Sequence, residues 1–593
     1  MKKIIILLLL FIFFIHSSCK RMWVNSDITT DELSGHIEFL ASDSLKGRYP
    51  GTPEDFIAAM YITNEFKDAG LQWLTADGLQ EYEIVTYIEA GDSNKLSFDG
   101  YTSEHGKDFT PLSFSSDTNV KAEVVFCGYG FDIDQEDLKW NDFRGIDVTG
   151  KWVMVLRGNP EPEKSISIFD TYSNERDKAM VAKDLGASGI LFVSGPLFFQ
   201  NDELMTLRSR ESQTGIPAIH IKRAMADRIL SISGQTTGII EKELNDKLRP
   251  HSFPTGVILE ATTNVIPHEV KTYNAVAFLE GSHPIKKDQY IIIGAHYDHL
   301  GFGGPGTSSR LQDSTAIHYG ADDNASGVSG IIEIAERFAL SENRPDRSLL
   351  FIAFGAEEMG LLGSRFFTEN PLVPLEQVSL MVNLDMIGRM RDRHLQVSGT
   401  GTSAEAEEIL KHFADTDSIQ LIMNPEGFGP SDHSSFYGKD IPVLFLTTGV
   451  HADYHTPDDS PEKINYTGMV HVADFAYELI DSIARMDSLL TFKEAGPKVM
   501  PSARHGRGRV TLGIMPDITS TDDTPGMRVE FVSPGKPAEL GGMKKGDMIL
   551  AIDGKPVNNV YDYMFRLEKI RPGQLIIVTI KREEKQLDLL IQL

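Results

Sequence analysis

The chain has 593 residues, 57 Lys and Arg against 85 Asp and Glu, a formal net charge of -28 and 41% hydrophobic residues. Such length and apolar content suit a globular protein of three or four domains. The acidity, with no long basic run, argues against nucleic acid as a partner.

In chain order, Lys2 and Lys3 precede an apolar run from Ile4 to Ile15, then His16, Ser17, Ser18 and Cys19. This reads as a secretory signal over 1–18 rather than a spanning helix. A Cys after small residues resembles a bacterial lipobox, although His16 departs from that pattern. The first expectation is therefore lipidation at Cys19, a membrane anchor and an address in the periplasm or cell envelope; plain secretion and an uncleaved anchor are the alternatives. Cys127 in "VVFCGYG" is the other cysteine, and it reads as a small buried hydrophobe.

The segment "PEDFIAAMYITNEFKDAG" carries a helical pattern in which Phe56, Ala59, Met60 and Phe66 share a face, with Gly70 at the C-cap. Short strands and glycines follow: "AEVVFCGYGF", "GKWVMVLRG", "AMVAKDLGASGILFVSG" and "IPAIHI". Their spacing implies an inserted unit over 108–261 that interrupts a domain begun at 27–107. From 262 to 490 apolar strands alternate with amphipathic helices, the pattern of an α/β fold with a mixed, mostly parallel sheet flanked by helices. The strand candidates are "QYIIIGAH", "SLLFIAFGAEE", "VSLMVNLDM" and "IPVLFLTTG". A polar linker over 491–507 leads to β-rich sequence over 508–593.

"FIAFGAEEMG" ends an apolar run in two adjacent acids, Glu357 and Glu358. Two like charges ~4 Å apart at an effective dielectric of ~20 repel by about 4 kcal/mol. Two readings are open: a solvated helix start, or a bound cation that requires further ligands elsewhere. Strands in an open α/β fold end at a common edge, and each candidate here leads into metal-type residues: His296 and Asp298, Asp322 and Asp323, Asp385, then His451 and His455. Two imidazoles and three carboxylates suit a pair of divalent ions sharing a carboxylate better than a structural zinc.

"HYD", "GADDNASG", "AEE", "NLDM" and "YHTPDDS", in this order, resemble the di-zinc exopeptidase family that includes bacterial leucyl aminopeptidases and glutamate carboxypeptidase, with glutaminyl cyclases as relatives. The resemblance implies two Zn2+ per chain. His296 and Asp385 would hold one, Glu358 and His455 the other, with Asp323 bridging and the 323–324 peptide cis. It makes Glu357 the general base and Asp298 the group that orients His296; on an extended strand Asp298 also points the same way as His296. Asp322 reads as a turn or helix cap and His299 as a loop residue. His451 reads as a cleft residue, and Asp459 as either the partner of His455 or a surface residue. "GFGPSDHSSFYG" resembles the family's substrate-side loop, which makes Ser431, Asp432 and His433 substrate contacts or, equally, structural residues.

The inserted unit resembles a protease-associated (PA) domain, which would either shape the substrate cleft or serve as a packing module. "VTLGIMPD" and "KKGDMILAIDGKPV" resemble a PDZ domain, whose Leu512, Gly513 and Ile514 would receive a peptide C-terminal carboxylate; a closed PDZ is the alternative. The resemblance thus implies an aminopeptidase acting on peptide substrates, which the signal-like segment over 1–18 would export. A carboxypeptidase, another amide hydrolase, a glutaminyl cyclase and an inactive surface-binding relative are the rivals.

Overall fold

The computed structural model describes residues 26–593 except 136–137, 165–166, 208–212, 305–306, 312–314, 414–418, 497, 499–510, 517–525, 533–534, 558–562, 564–565, 568–569, 571–573 and 584. The expected signal and Cys19 lie outside the described residues, as does most of the expected linker.

An eight-stranded sheet carries the catalytic-type motifs. From one edge its strands are Leu79–Ala90, Val265–Leu279, Ser348–Phe354, Tyr290–His296, Val378–Leu384, Val443–Thr447, His394–Ser398 and Gln420–Asn424. The four strands expected from sequence are its centre and run parallel to one another. Antiparallel pairings flank them on both sides. All seven residues of Ser348–Phe354 are buried, because a central strand has helices over both faces. Leu349, Phe351 and Ala353 join one hydrophobic core, and Leu350, Ile352 and Phe354 the other. At ~1.5–3 kcal/mol per large apolar side chain, this strand alone contributes substantially to the sheet's stability.

The Pro53–Asp68 helix starts on Thr52, whose side chain accepts from the Asp55 amide, and Pro53 occupies the first turn. Its buried face is Asp55, Ala58, Ala59, Ile62, Thr63 and Phe66. Phe56 does not belong to it: it is 43% exposed and lies against Tyr273. Asp55 takes the inward place, accepting from the Gly51 amide and the Thr272 hydroxyl, and a polar residue so satisfied disguises the face in the sequence.

A second eight-stranded sheet orders Tyr101–Thr102, Lys95–Phe98, Ser252–Thr263, Thr118–Cys127, Trp152–Leu156, Gly189–Val193, Ala218–Ile221 and Phe109–Pro111. It therefore starts before residue 108: Lys95–Phe98 pairs with Ser252–Thr263, a long-range partnership that local pattern does not reveal. Cys127 is buried and free, and burial pushes its thiol up. The C-terminal sheet joins Ile514–Pro516, Met527–Val532, Met548–Ile552, Leu575–Arg582 and Lys585–Gln592. No helix among the described residues is long and apolar enough to cross a membrane.

Candidate active site

The four central strands are parallel, so their carboxyl ends deliver side chains to one edge. His296 ends Tyr290–His296, Glu357 and Glu358 follow Ser348–Phe354, Asp385 follows Val378–Leu384, and His455 lies beyond Val443–Thr447. Asp323 sits just before the Gly327–Leu340 helix, and the Asp323–Asn324 peptide is cis.

The Asp323 carboxylate divides between two groups. Its Oδ1 lies 3.2 Å from His296 Nε2, which is 3.5 Å from Asp385 Oδ1. Its Oδ2 lies 3.2 Å from His455 Nε2, which is also 3.2 Å from Glu358 Oε2. Glu357 Oε2 stands 4.0 Å from His296 Nε2. Ligand atoms ~2.0–2.1 Å from one tetrahedral zinc lie about 3.3 Å apart, so these spacings suit donors of a shared ion. The buried oxygens Asp323 Oδ2, Glu358 Oε1 and Asp385 Oδ1 also have no aligned hydrogen-bond donor among the described residues. On both counts the donor set fits zinc.

The charges perturb one another strongly. Burial works against protonated His296, but Asp385, Glu357 and Asp323 outweigh it and hold its pKa well above the usual value. His455 is raised to about 11 against burial, chiefly by Glu358 and Asp323. Burial works to raise Glu358, yet His455 and His299 bring it down to about 2. Glu357 is raised well above the carboxylate range, first by burial and then by Asp432, Glu358 and Asp385 against the opposing pull of His296.

Asp298 is fully buried, but its carboxylate reaches past His296. Oδ1 accepts from the Glu357 amide at 2.8 Å and Oδ2 from the Glu358 amide at 3.3 Å. The ring of His296 instead meets the Asp298 backbone carbonyl, 3.2 Å from Nδ1, with the carboxylate 3.9 Å away. Asp298 thus holds the acidic pair by its backbone, which partly answers how the two acids are kept in place.

Asp459 is neither a surface residue nor the partner of His455. It is buried and accepts from the amides of Asp322 and Asp323, while His455 Nδ1 lies 3.0 Å from the Ser308 carbonyl. Asp322 Oδ1 accepts from Ser326 Oγ and the Gly388 amide, and its Oδ2 is 3.1 Å from His451 Nε2. His451 therefore lies behind the bridging acid, against its supporting loop. Ser431 Oγ accepts from Asn383 Nδ2. Asp432 is buried and raised to about 7 by burial, and His433, also buried, stacks on Phe445 at 4.5 Å. In the C-terminal unit Leu512 is buried, the Gly513 amide donates to Thr511 Oγ1 and Ile514 begins a strand.

Sequence reasoning missed three contributors. His299 is fully buried beside Glu358, and Tyr454 stacks on His455 at 3.8 Å. Arg48, in "LASDSLKGR", is fully buried and donates to the carbonyls of Leu40, Tyr297, Tyr319 and Gly320, tying together the backbones beside His296 and Asp323. The repeated histidine in "HYDHL" was the available signal for the first, and the place of Tyr454 directly before His455 in "YHTPDDS" for the second; only contacts distant in sequence expose Arg48.

The parallel centre of this mixed sheet thus gathers, at its carboxyl edge, two acid and imidazole groups around one shared carboxylate, a donor set of the kind that holds divalent metal. Residues 274–480 match the model of Peptidase family M28. A PA domain matches at 120–229 and a PDZ domain at 511–593. Among similar proteins, a probable glutamate carboxypeptidase AMP1 of Arabidopsis thaliana is 24% identical over 76% of this chain and 66% of its own. The aminopeptidase YwaD of Bacillus subtilis is 28% identical over 43% of this chain and 53% of its own. The chain thus spans less than two thirds of these relatives' length. A solved structure of BSAP, a zinc aminopeptidase from Bacillus subtilis, is 21% identical with a TM-score of 0.41, covering 78% of this chain and 97% of that one.

Proposed function

We propose that this protein is an exported metallo-exopeptidase that removes N-terminal residues from peptides. The observation that carries the reading is the division of the Asp323 oxygens between His296 with Asp385 and His455 with Glu358. His296, Asp385 and Asp323 Oδ1 would hold one zinc, and His455, Glu358 and Asp323 Oδ2 a second. Zinc, when bound there, supplies Lewis acidity toward the scissile carbonyl and lowers the pKa of water.

Glu357 takes the proton of the attacking water and returns it to the leaving amine. Its side chain is largely buried at the cleft beside His296, and its amide is pinned by Asp298. Acidic side chains line the cleft around Glu357, Asp432 among them, and such a lining suits a substrate's α-ammonium better than a C-terminal carboxylate. The buried cation nearby, Arg48, gives its donors to backbone carbonyls. Ser431, Asp432 and His433 are proposed to border the substrate. His451 is proposed to act through Asp322 on the bridging acid.

The carboxypeptidase reading keeps one support, the relative of that name that aligns over 76% of this chain. The apolar run before Cys19 supports export and a lipid anchor, and the PDZ match supports a peptide C-terminus as ligand of Leu512, Gly513 and Ile514.

The test is metal analysis with a panel of N-terminally free and N-terminally blocked peptides. About two zincs per chain and hydrolysis restricted to free N-termini are expected. Glu357→Gln should retain the metal and lose ~10²–10⁴-fold in kcat. Release of C-terminal residues would overturn the aminopeptidase reading.

A further inference from the structure

The His455 side of the site holds one imidazole beyond those the reading above uses. His299 has no exposed surface. Its Nδ1 lies 2.8 Å from Glu358 Oε1 and 3.8 Å from Asp323 Oδ2, values on either side of the roughly 3.3 Å expected between donors of one zinc. One ligand atom from each of His299, Asp323 and Glu358 lies within 4.8 Å of the others, a group that does not itself take in His455, and the same holds for His296, Asp323 and Asp385. Among the described residues, neither ring nitrogen of His299 nor Glu358 Oε1 has an aligned hydrogen-bond partner. A buried imidazole is ordinarily satisfied, so a close approach without alignment suits two ligands facing one cation better than a donor facing an acceptor.

The ring is also held in place. It meets His455 edge to face at 5.9 Å between ring centres. A Cβ on Gly320 would fall 2.6 Å from its Cγ and Cδ2, and Gly320 has a positive φ of 56°. The glycine that turns the chain into the bridging Asp323 thus leaves room for this ring.

We propose that His299 Nδ1 is a ligand of the second zinc together with His455, Glu358 and Asp323. This rests on the reading of the cleft as a two-zinc site. It makes the two positions unequal: four protein donors surround the second and three, His296, Asp323 and Asp385, the first. Four donors close a zinc site, whereas three leave a position for water or substrate. The His455 position is the retentive, organising one, and the His296 position is the one that exchanges ligands.

The decisive experiment is a crystal structure of the zinc-loaded full chain with anomalous data at the zinc edge, paired with stepwise removal of zinc by a competing chelator from wild type and His299→Ala. His299 Nδ1 is expected ~2.0–2.1 Å from the second zinc. In the titration, His299→Ala should weaken the tighter step at least about tenfold and leave the looser step in place. An Nδ1 more than about 3 Å from an occupied second position, or a tighter step that the variant does not move, overturns this proposal and leaves the two-zinc reading standing. Absence of zinc from both positions overturns both. Should the variant fail to fold, the wild-type crystal alone decides.

Discussion

Arg48→Lys separates the shape of the buried clamp from its charge. The guanidinium serves four carbonyls from three nitrogens: Nε to Tyr297 at 2.6 Å, one terminal nitrogen to Leu40 and to Tyr319 at 2.8 Å, and the other to Gly320 at 3.0 Å. An ammonium donates from a single atom. It keeps the charge facing Asp298, Asp323, Asp459 and Glu358 but reaches about two of those carbonyls. Two buried acceptors left without donors, at ~1–3 kcal/mol each, give about 2–6 kcal/mol. The assay is hydrogen exchange of the zinc-loaded full chain, read on the slowest amides of Tyr290–His296 and Ser348–Phe354, which report opening of the peptidase sheet. Their protection should fall about 30-fold or more, while Trp152–Leu156 of the second sheet serves as the unchanged reference. Protection of the peptidase strands within about threefold of wild type would show that the carbonyls find other donors and refute the clamp.

Asp298→Asn offers one acceptor to the two amides of Glu357 and Glu358, so zinc affinity should fall ~10–100-fold, measured by chelator competition; an unchanged affinity would mean that Asp298 does not position Glu358. In the second sheet, burial lowers Lys178 from 10.5 to about 7, although its Nζ donates to the Leu156 and Gly158 carbonyls. The unfolded chain then binds the extra proton between about pH 7 and 10.5, so stability of that unit rises with pH across this window, by about 5 kcal/mol for the full shift. Burial likewise raises Asp142 from 3.8 to about 7, where the folded form holds the extra proton and stability falls as pH rises toward 7. Lys178→Met should flatten the upper limb alone, measured as the pH dependence of exchange in Trp152–Leu156; a slope unchanged above pH 7 would sink this account.

The residue types of the site and their placement at strand ends were legible in the sequence, because each depends on a short apolar run and the few residues after it. "QYIIIGAH", "SLLFIAFGAEE" and "VSLMVNLDM" signal buried parallel strands by composition alone, and the acids and imidazoles that close them stand out against it. The partner of each group was decided elsewhere. Asp298 lies two residues from His296 and hydrogen-bonds to amides about sixty residues on; Asp459 turns to the backbone of Asp322 and Asp323 rather than to His455; and His299, a loop residue by local pattern, meets Glu358. Periodicity and composition report whether a side chain is buried and in what kind of element. Which groups face one another across a crevice is set by how loops remote in sequence approach once the sheet has assembled, and only the tertiary structure decides that.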